Sequence, residues 1–170
     1  KEYEEVFERT YEEVRKHKDN AVAYIGGDIA HSKTDMSPEL VDELSRLFKN
    51  LADICPTIII AGNHDCNLNN RSRMDVLSPI VNNLRHPNLH YLKDSGVYKF
   101  ADTTFVVWDC WTDESEFIES KDVEGDTKVV LFHGTVDRCE TDLGFRLPSD
   151  VKIHKFDGYD MGLLGDIHKR

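Results

Sequence analysis

The stretch Pro56-Thr57-Ile58-Ile59-Ile60-Ala61-Gly62-Asn63-His64-Asp65 decides how this chain folds. A continuous run of β-branched residues that ends in glycine reads as a strand buried on both faces, the kind found inside layered α/β domains. Short apolar strands that end at glycine occur three more times. Ala21 to Ile25 runs into Gly26-Gly27-Asp28, Lys128 to Phe132 into His133-Gly134, and Asp160 to Leu164 into Gly165-Asp166-Ile167-His168. Each strand therefore stops at a glycine beside a side chain that can ligate a metal. In α/β sheets, ligands collect beyond the carboxyl ends of the strands, where glycine lets the backbone turn sharply.

Around these strands the helical signals are equally local. Residues 1–18 carry Tyr3, Phe7, Tyr11 and Val14 at helical spacing, with Glu early and Arg15, Lys16 and Lys18 late, matching the helix dipole. Ser37-Pro38 opens a second helix, with Leu40, Leu44, Leu47, Phe48 and Leu51 on its apolar face. A third is predicted from Met74 to Leu84, and short strands at 90–92, 97–100 and 104–108. Helices alternate with strands early, and strands follow one another later, so the fold class is α/β with a mixed sheet or two sheets.

Composition bounds the remaining classes. The chain has 170 residues, 39% hydrophobic, enough for one domain with a real core. No apolar run approaches a membrane span and no signal-peptide core is present, so the protein is expected to be intracellular, in cytoplasm or nucleus, with no membrane partner. The net charge of −11 argues against a generic nucleic-acid coat. Between Asp109 and Asp126 there are eight acidic residues and a single basic one, Lys121; this loop reads as a solvated face. The remaining chain carries little net charge, which leaves room for a phosphate-bearing substrate if metal ions or a local basic patch supply the attraction. Four scattered cysteines without C-x-x-C spacing read as free thiols.

Taken together, G-D, G-N-H-D, H-G and G-D-I-H resemble the calcineurin-like metallophosphoesterases across essentially the whole chain. Gly27-Asp28-Ile29-Ala30-His31 followed by Ser37-Pro38 is similar to the SbcD or meiotic-recombination-eleven DNA-repair nucleases. The resemblance implies a four-layer α-β-β-α sandwich, two mixed sheets flanked by helices. It also implies two divalent ions, with Asp28 bridging them, Asn63 and His133 on the second, and His168 on the first. His64 is then the catalytic histidine, Asp65 orients its ring, and His31 contacts the scissile phosphodiester. Asp166 stands where the family has the first His of G-H-x-H; a harder oxygen ligand tilts preference to Mn²⁺, or Mg²⁺, over Zn²⁺. The family's opening D-x-H is absent, so the 1–170 domain is expected to be a segment that lacks its first strand and continues past Arg170.

By the same resemblance the activity is a DNA exonuclease or endonuclease of double-strand-break repair, with an SbcC-like coiled-coil ATPase and a second copy of the chain as partners. Arg71, Arg73, Lys169 and Arg170 flank the site and read either as grips on DNA phosphates or as solvated cations. Two alternatives stay open. One is a phosphoesterase for a monoester, a cyclic nucleotide or RNA. The other is a degenerate fold kept as a protein-interaction scaffold.

Overall fold

A computed structural model describes residues 2–31, 36–141 and 143–167. The helices are α1 (Glu2–Arg15), α2 (Pro38–Ile54) and α3 (Leu77–Leu84). The strands are β1 (Ala23–Gly26), β2 (Thr57–Ile60), β3 (Leu89–Tyr91), β4 (Gly96–Phe100), β5 (Thr103–Trp108), β6 (Thr127–His133) and β7 (Met161–Gly165). They form two sheets, β1-β2-β3 and β4-β5-β6-β7. The first is wholly parallel, because helical crossovers join its strands; the second is mixed, with only β4 antiparallel to its neighbour.

Alternation of side chains on β2 builds two cores at once. Ile59 faces the helices, among Leu44, Phe48, Leu77 and Ile80. Ile58 and Ile60 face the other sheet, among Phe105, Val107, Val129 and Leu131. Next in β5 and β6, Val106, Trp108, Val130 and Phe132 point to a third core on the outer face. Period-two patterning on strands covered on both sides thus orders the layers.

That outer face is covered by short 3₁₀ turns, Glu114–Glu116, Ser120–Asp122 and Ile153–Phe156. The acidic loop is correspondingly more than a solvated face. It lays Phe117 flat on Trp108, with ring centroids 4.4 Å apart, and buries Val123. Trp108 is core, as its place in a strand suggests.

Local chemistry sets the helix ends. Ser37 Oγ accepts the Leu40 N–H at 3.1 Å, with Pro38 in the first turn. The third helix starts at Leu77 rather than Met74, because Asp75 accepts the N–H groups of Leu77 and Ser78 and so caps it. Among the described residues, no helix is long and apolar enough to cross a membrane.

Candidate metal centre

The carboxyl ends of β1, β2, β6 and β7 meet at one place. Chain geometry there is special: Asp28 and Asp166 have positive φ, 52° and 87°, a backbone region costly for residues with a Cβ. Glycines allow the close approach. A Cβ on Gly62 would collide with the Asp28 carboxylate, and one on Gly165 with the Gly26 carbonyl.

His133 is the hub. Its Nδ1 lies 2.5 Å from the Gly26 carbonyl, which can only accept, so Nδ1 carries a proton and Nε2 is the nitrogen turned to the centre. Nε2 faces Asp28 Oδ2 at 3.2 Å, Asn63 Oδ1 at 3.2 Å and Asp166 Oδ1 at 3.9 Å. One ligand atom each from Asp28, His133 and Asp166 fits within 4.8 Å of the others. The His64 N–H donates to Asp28 Oδ1 at 2.9 Å, fixing the carboxylate, and Thr135 Oγ1 donates to Asp166 Oδ2 at 3.1 Å.

With Asn63 Oδ1 turned inward, three kinds of acceptor confront one another with no donor between them. Turning the amide over would let its NH₂ donate to Asp28 at 3.0 Å and to His133 Nε2 at 3.2 Å. A cation satisfies the inward orientation without that turn, and the donor set of carboxylate, amide oxygen and imidazole suits a divalent ion. The residues present therefore fit a metal. Asn63 and His133 lie together in this cluster, and Asp166, the departure from the family pattern, joins them.

His64 stands exposed at the rim. Its Nδ1 is 3.1 Å from the His31 carbonyl, so the outer nitrogen is the one free to exchange protons. The two imidazoles stack at 5.9 Å and 15°.

Asp65 behaves differently from the expectation. It is fully buried, and its oxygens accept the N–H groups of Ala30 at 2.8 Å and Gly62 at 2.9 Å. It staples the β1 and β2 loops together, while the His31 carbonyl orients the His64 ring. Burial pushes the Asp65 carboxyl up, partly offset by those backbone donors.

Arg71 is also corrected. It donates to Asp94 and Asp109, each at 3.0 Å, so its charge is already paired. Arg73 is exposed and forms no ion pair with the described residues. His168, Lys169 and Arg170 lie outside the described residues. Two contributors were not foreseen: Thr135, two residues beyond the ligand His133, and Asp109, counted with the solvated loop. Cys66 is a buried thiol that donates to the Gly62 carbonyl at 3.2 Å.

From Asn63, His133 and Asp166 an open groove of about 700 Å³ leads away past Asp113, Glu114 and Asp150. Among the described residues, no Lys or Arg lines it.

Comparison with known proteins agrees with this geometry. The family model described as calcineurin-like phosphoesterase matches residues 2–170. An uncharacterized protein of Acanthamoeba polyphaga mimivirus is 40% identical over 180 aligned residues, covering 99% of this chain. The chain spans 13% of that relative's length.

Proposed function

The chain belongs to the calcineurin-like phosphoesterase family, and on that premise we propose that it is a Mn²⁺-dependent phosphodiesterase acting on DNA, of the SbcD type. The observation that carries this reading is the confrontation of Asp28, Asn63, His133 and Asp166, acceptors that serve no packing purpose. A scaffold has no physical need for them. Oxygen-rich donors favour Mn²⁺ or Mg²⁺ over Zn²⁺. A pair of ions is the arrangement the resemblance implies, with His168 on the first beside the bridging Asp28.

Bound there, divalent ions supply Lewis-acid stabilisation of charge on the phosphoryl oxygens. The protein does the rest. Asp28, with one oxygen tied to the His64 backbone, holds its other oxygen toward the centre. His133 is locked in one tautomer by Gly26. His64, with Nδ1 committed to His31, presents its outer nitrogen to protonate the leaving oxygen, a task suited to imidazole near neutral pH. His31, stacked on it, faces the same phosphodiester.

Partners follow from the resemblance: DNA, an SbcC-like ATPase and a second copy of the chain. One observation favours a second substrate reading. Among the described residues the groove bears carboxylates and no Lys or Arg, which suits a small phosphodiester with a neutral remainder.

The test is Mn²⁺-dependent cleavage of single-stranded and duplex DNA beside hydrolysis of bis(p-nitrophenyl) phosphate. His64→Ala is expected to slow DNA cleavage by about 10²–10⁴-fold, the usual range for losing a general acid. The diester, whose leaving group needs little protonation, should suffer less. Hydrolysis of the diester alone would transfer the assignment to the small substrate. Equal rates for His64→Ala and the unaltered protein on DNA would remove His64 from the mechanism.

A further inference from the structure

The turn that carries Asn63 and His64 is gripped on both sides by one short segment of the other sheet. Before the turn, Cys110 Sγ donates to the Ala61 carbonyl at 3.3 Å. After it, Trp111 Nε1 donates to the Asn67 carbonyl at 3.0 Å, and Asp109 Oδ2 accepts Arg71 Nη2 at 3.0 Å. The Arg71 guanidinium also lies 5.5 Å from the centre of the Trp111 ring, with the Lys93 ammonium 5.9 Å from it.

Asp109 is itself anchored. Its oxygens accept the N–H groups of Ser95, Trp111 and Thr112 and the Thr112 hydroxyl, besides Arg71. Its own N–H donates to Ser95 Oγ. The side chain is 3% exposed. A buried anion with this many donors is a fixed point, and Arg71 and Trp111 transmit its position to the loop after the turn.

We propose that Asp109, Trp111 and Arg71 are positioning residues for the metal centre, holding the Asn63–His64 turn so that Asn63 Oδ1 faces the other acceptors before a cation arrives. The idea rests on reading that centre as a divalent site. Preorganisation is the physical reason. Asn63 lies 3.2 Å from His133 Nε2, and the His64 N–H lies 2.9 Å from Asp28 Oδ1, because the turn is held in register with the neighbouring strand ends. A turn free to move would give up both contacts and, with them, cation affinity. This role also explains why an arginine next to the site is paired twice instead of being left free for a substrate phosphate.

The discriminating variants are Trp111→Phe, which keeps one aromatic ring and deletes the pyrrole half with the N–H bonded to Asn67, and Arg71→Ala. The probe is Mn²⁺ itself, titrated by calorimetry, with thermal unfolding in chelator recorded for each protein. Both variants are expected to bind Mn²⁺ about 10–100-fold more weakly, the range seen when partners behind metal ligands are lost. Unfolding of the cation-free Trp111→Phe protein should shift little.

Tyr159→Phe is the control. It removes a hydrogen bond to the Ile118 carbonyl in the outer core, away from residues 61–71 and their partners, and should retain full affinity. Undiminished Mn²⁺ affinity in Trp111→Phe would overturn the proposal, even if Arg71→Ala failed to fold. A loss of affinity in Tyr159→Phe equal to that in Trp111→Phe would do the same. Failure of the unaltered protein to take up Mn²⁺ would instead overturn the centre, and the positioning role with it.

Discussion

Asp28 and Asp109 each sit just past the end of an apolar strand, and their surroundings are opposite. Asp109 is saturated: backbone N–H groups, a hydroxyl and a guanidinium all donate to it. Asp28 receives the His64 N–H and then faces His133 Nε2 and Asn63, which with its oxygen inward is one more acceptor. Position and charge alone would class the two together, although the Asp28 side chain is 21% exposed and that of Asp109 3%. The donor count separates them, because a satisfied carboxylate organises the fold while an unsatisfied group of acceptors waits for a cation.

Neutralising each carboxylate is the sharpest way to break this contrast, since the two changes should have opposite signs. Asn tolerates the left-handed backbone at position 28, so Asp28→Asn should fold. It is expected to cut metal-dependent hydrolysis about a thousandfold, the several kcal/mol of charge stabilisation that a divalent ion provides. In chelator the same variant should unfold at higher temperature, gaining about 1 kcal/mol as one acceptor becomes a donor. Calorimetric unfolding with and without Mn²⁺ checks both arms.

Asp109→Asn should go the other way, losing about 3 kcal/mol because Arg71 and the backbone donors lose their anion. Its pH dependence sharpens the comparison. Burial alone would raise the Asp109 carboxyl, but the donors from Ser95, Trp111 and Thr112 and the Arg71 charge outweigh it and hold the pKa below the usual carboxylate value. Its stabilising contribution is therefore complete above about pH 4, the unfolded value, and disappears as pH falls through the lower folded one. The stability gap between Asp109→Asn and the unaltered protein should stay constant from neutral pH to about 5 and close only in acid. Acid unfolding followed by circular dichroism would reveal a gap that closes earlier. Arg73→Ala marks the bottom of the scale: an exposed side chain outside both clusters should change stability by less than about 0.5 kcal/mol.

What was legible in the sequence was what is local in the chain. The isoleucine run of β2 announces a strand covered on both faces, and each ligand sits within a residue or two of a strand-ending glycine. Ser37 before Pro38 marks a helix start by adjacency alone. Pairings across distance were hidden. Nothing near Arg71 tells that its partner is Asp109, 38 residues on, or that Asp65 reaches back 35 residues to the Ala30 N–H. Asp75 was missed for another reason, because the apolar period continues through Met74 and masks a cap just inside it. The acidic stretch misled because charge counting does not register Phe117 and Val123, the residues that fasten it down.

One feature of the centre has a mechanical meaning. Asp28 and Asn63 extend from the parallel sheet, His133 and Asp166 from the mixed one, and the bond from His133 Nδ1 to the Gly26 carbonyl crosses between them. An ion seated among these four groups is a hinge pin joining two plates. Its loss would loosen the seam that carries the ligands while leaving each plate intact, so amide exchange should quicken at residues 26–28 and 165–166 before it quickens within β2 or β6.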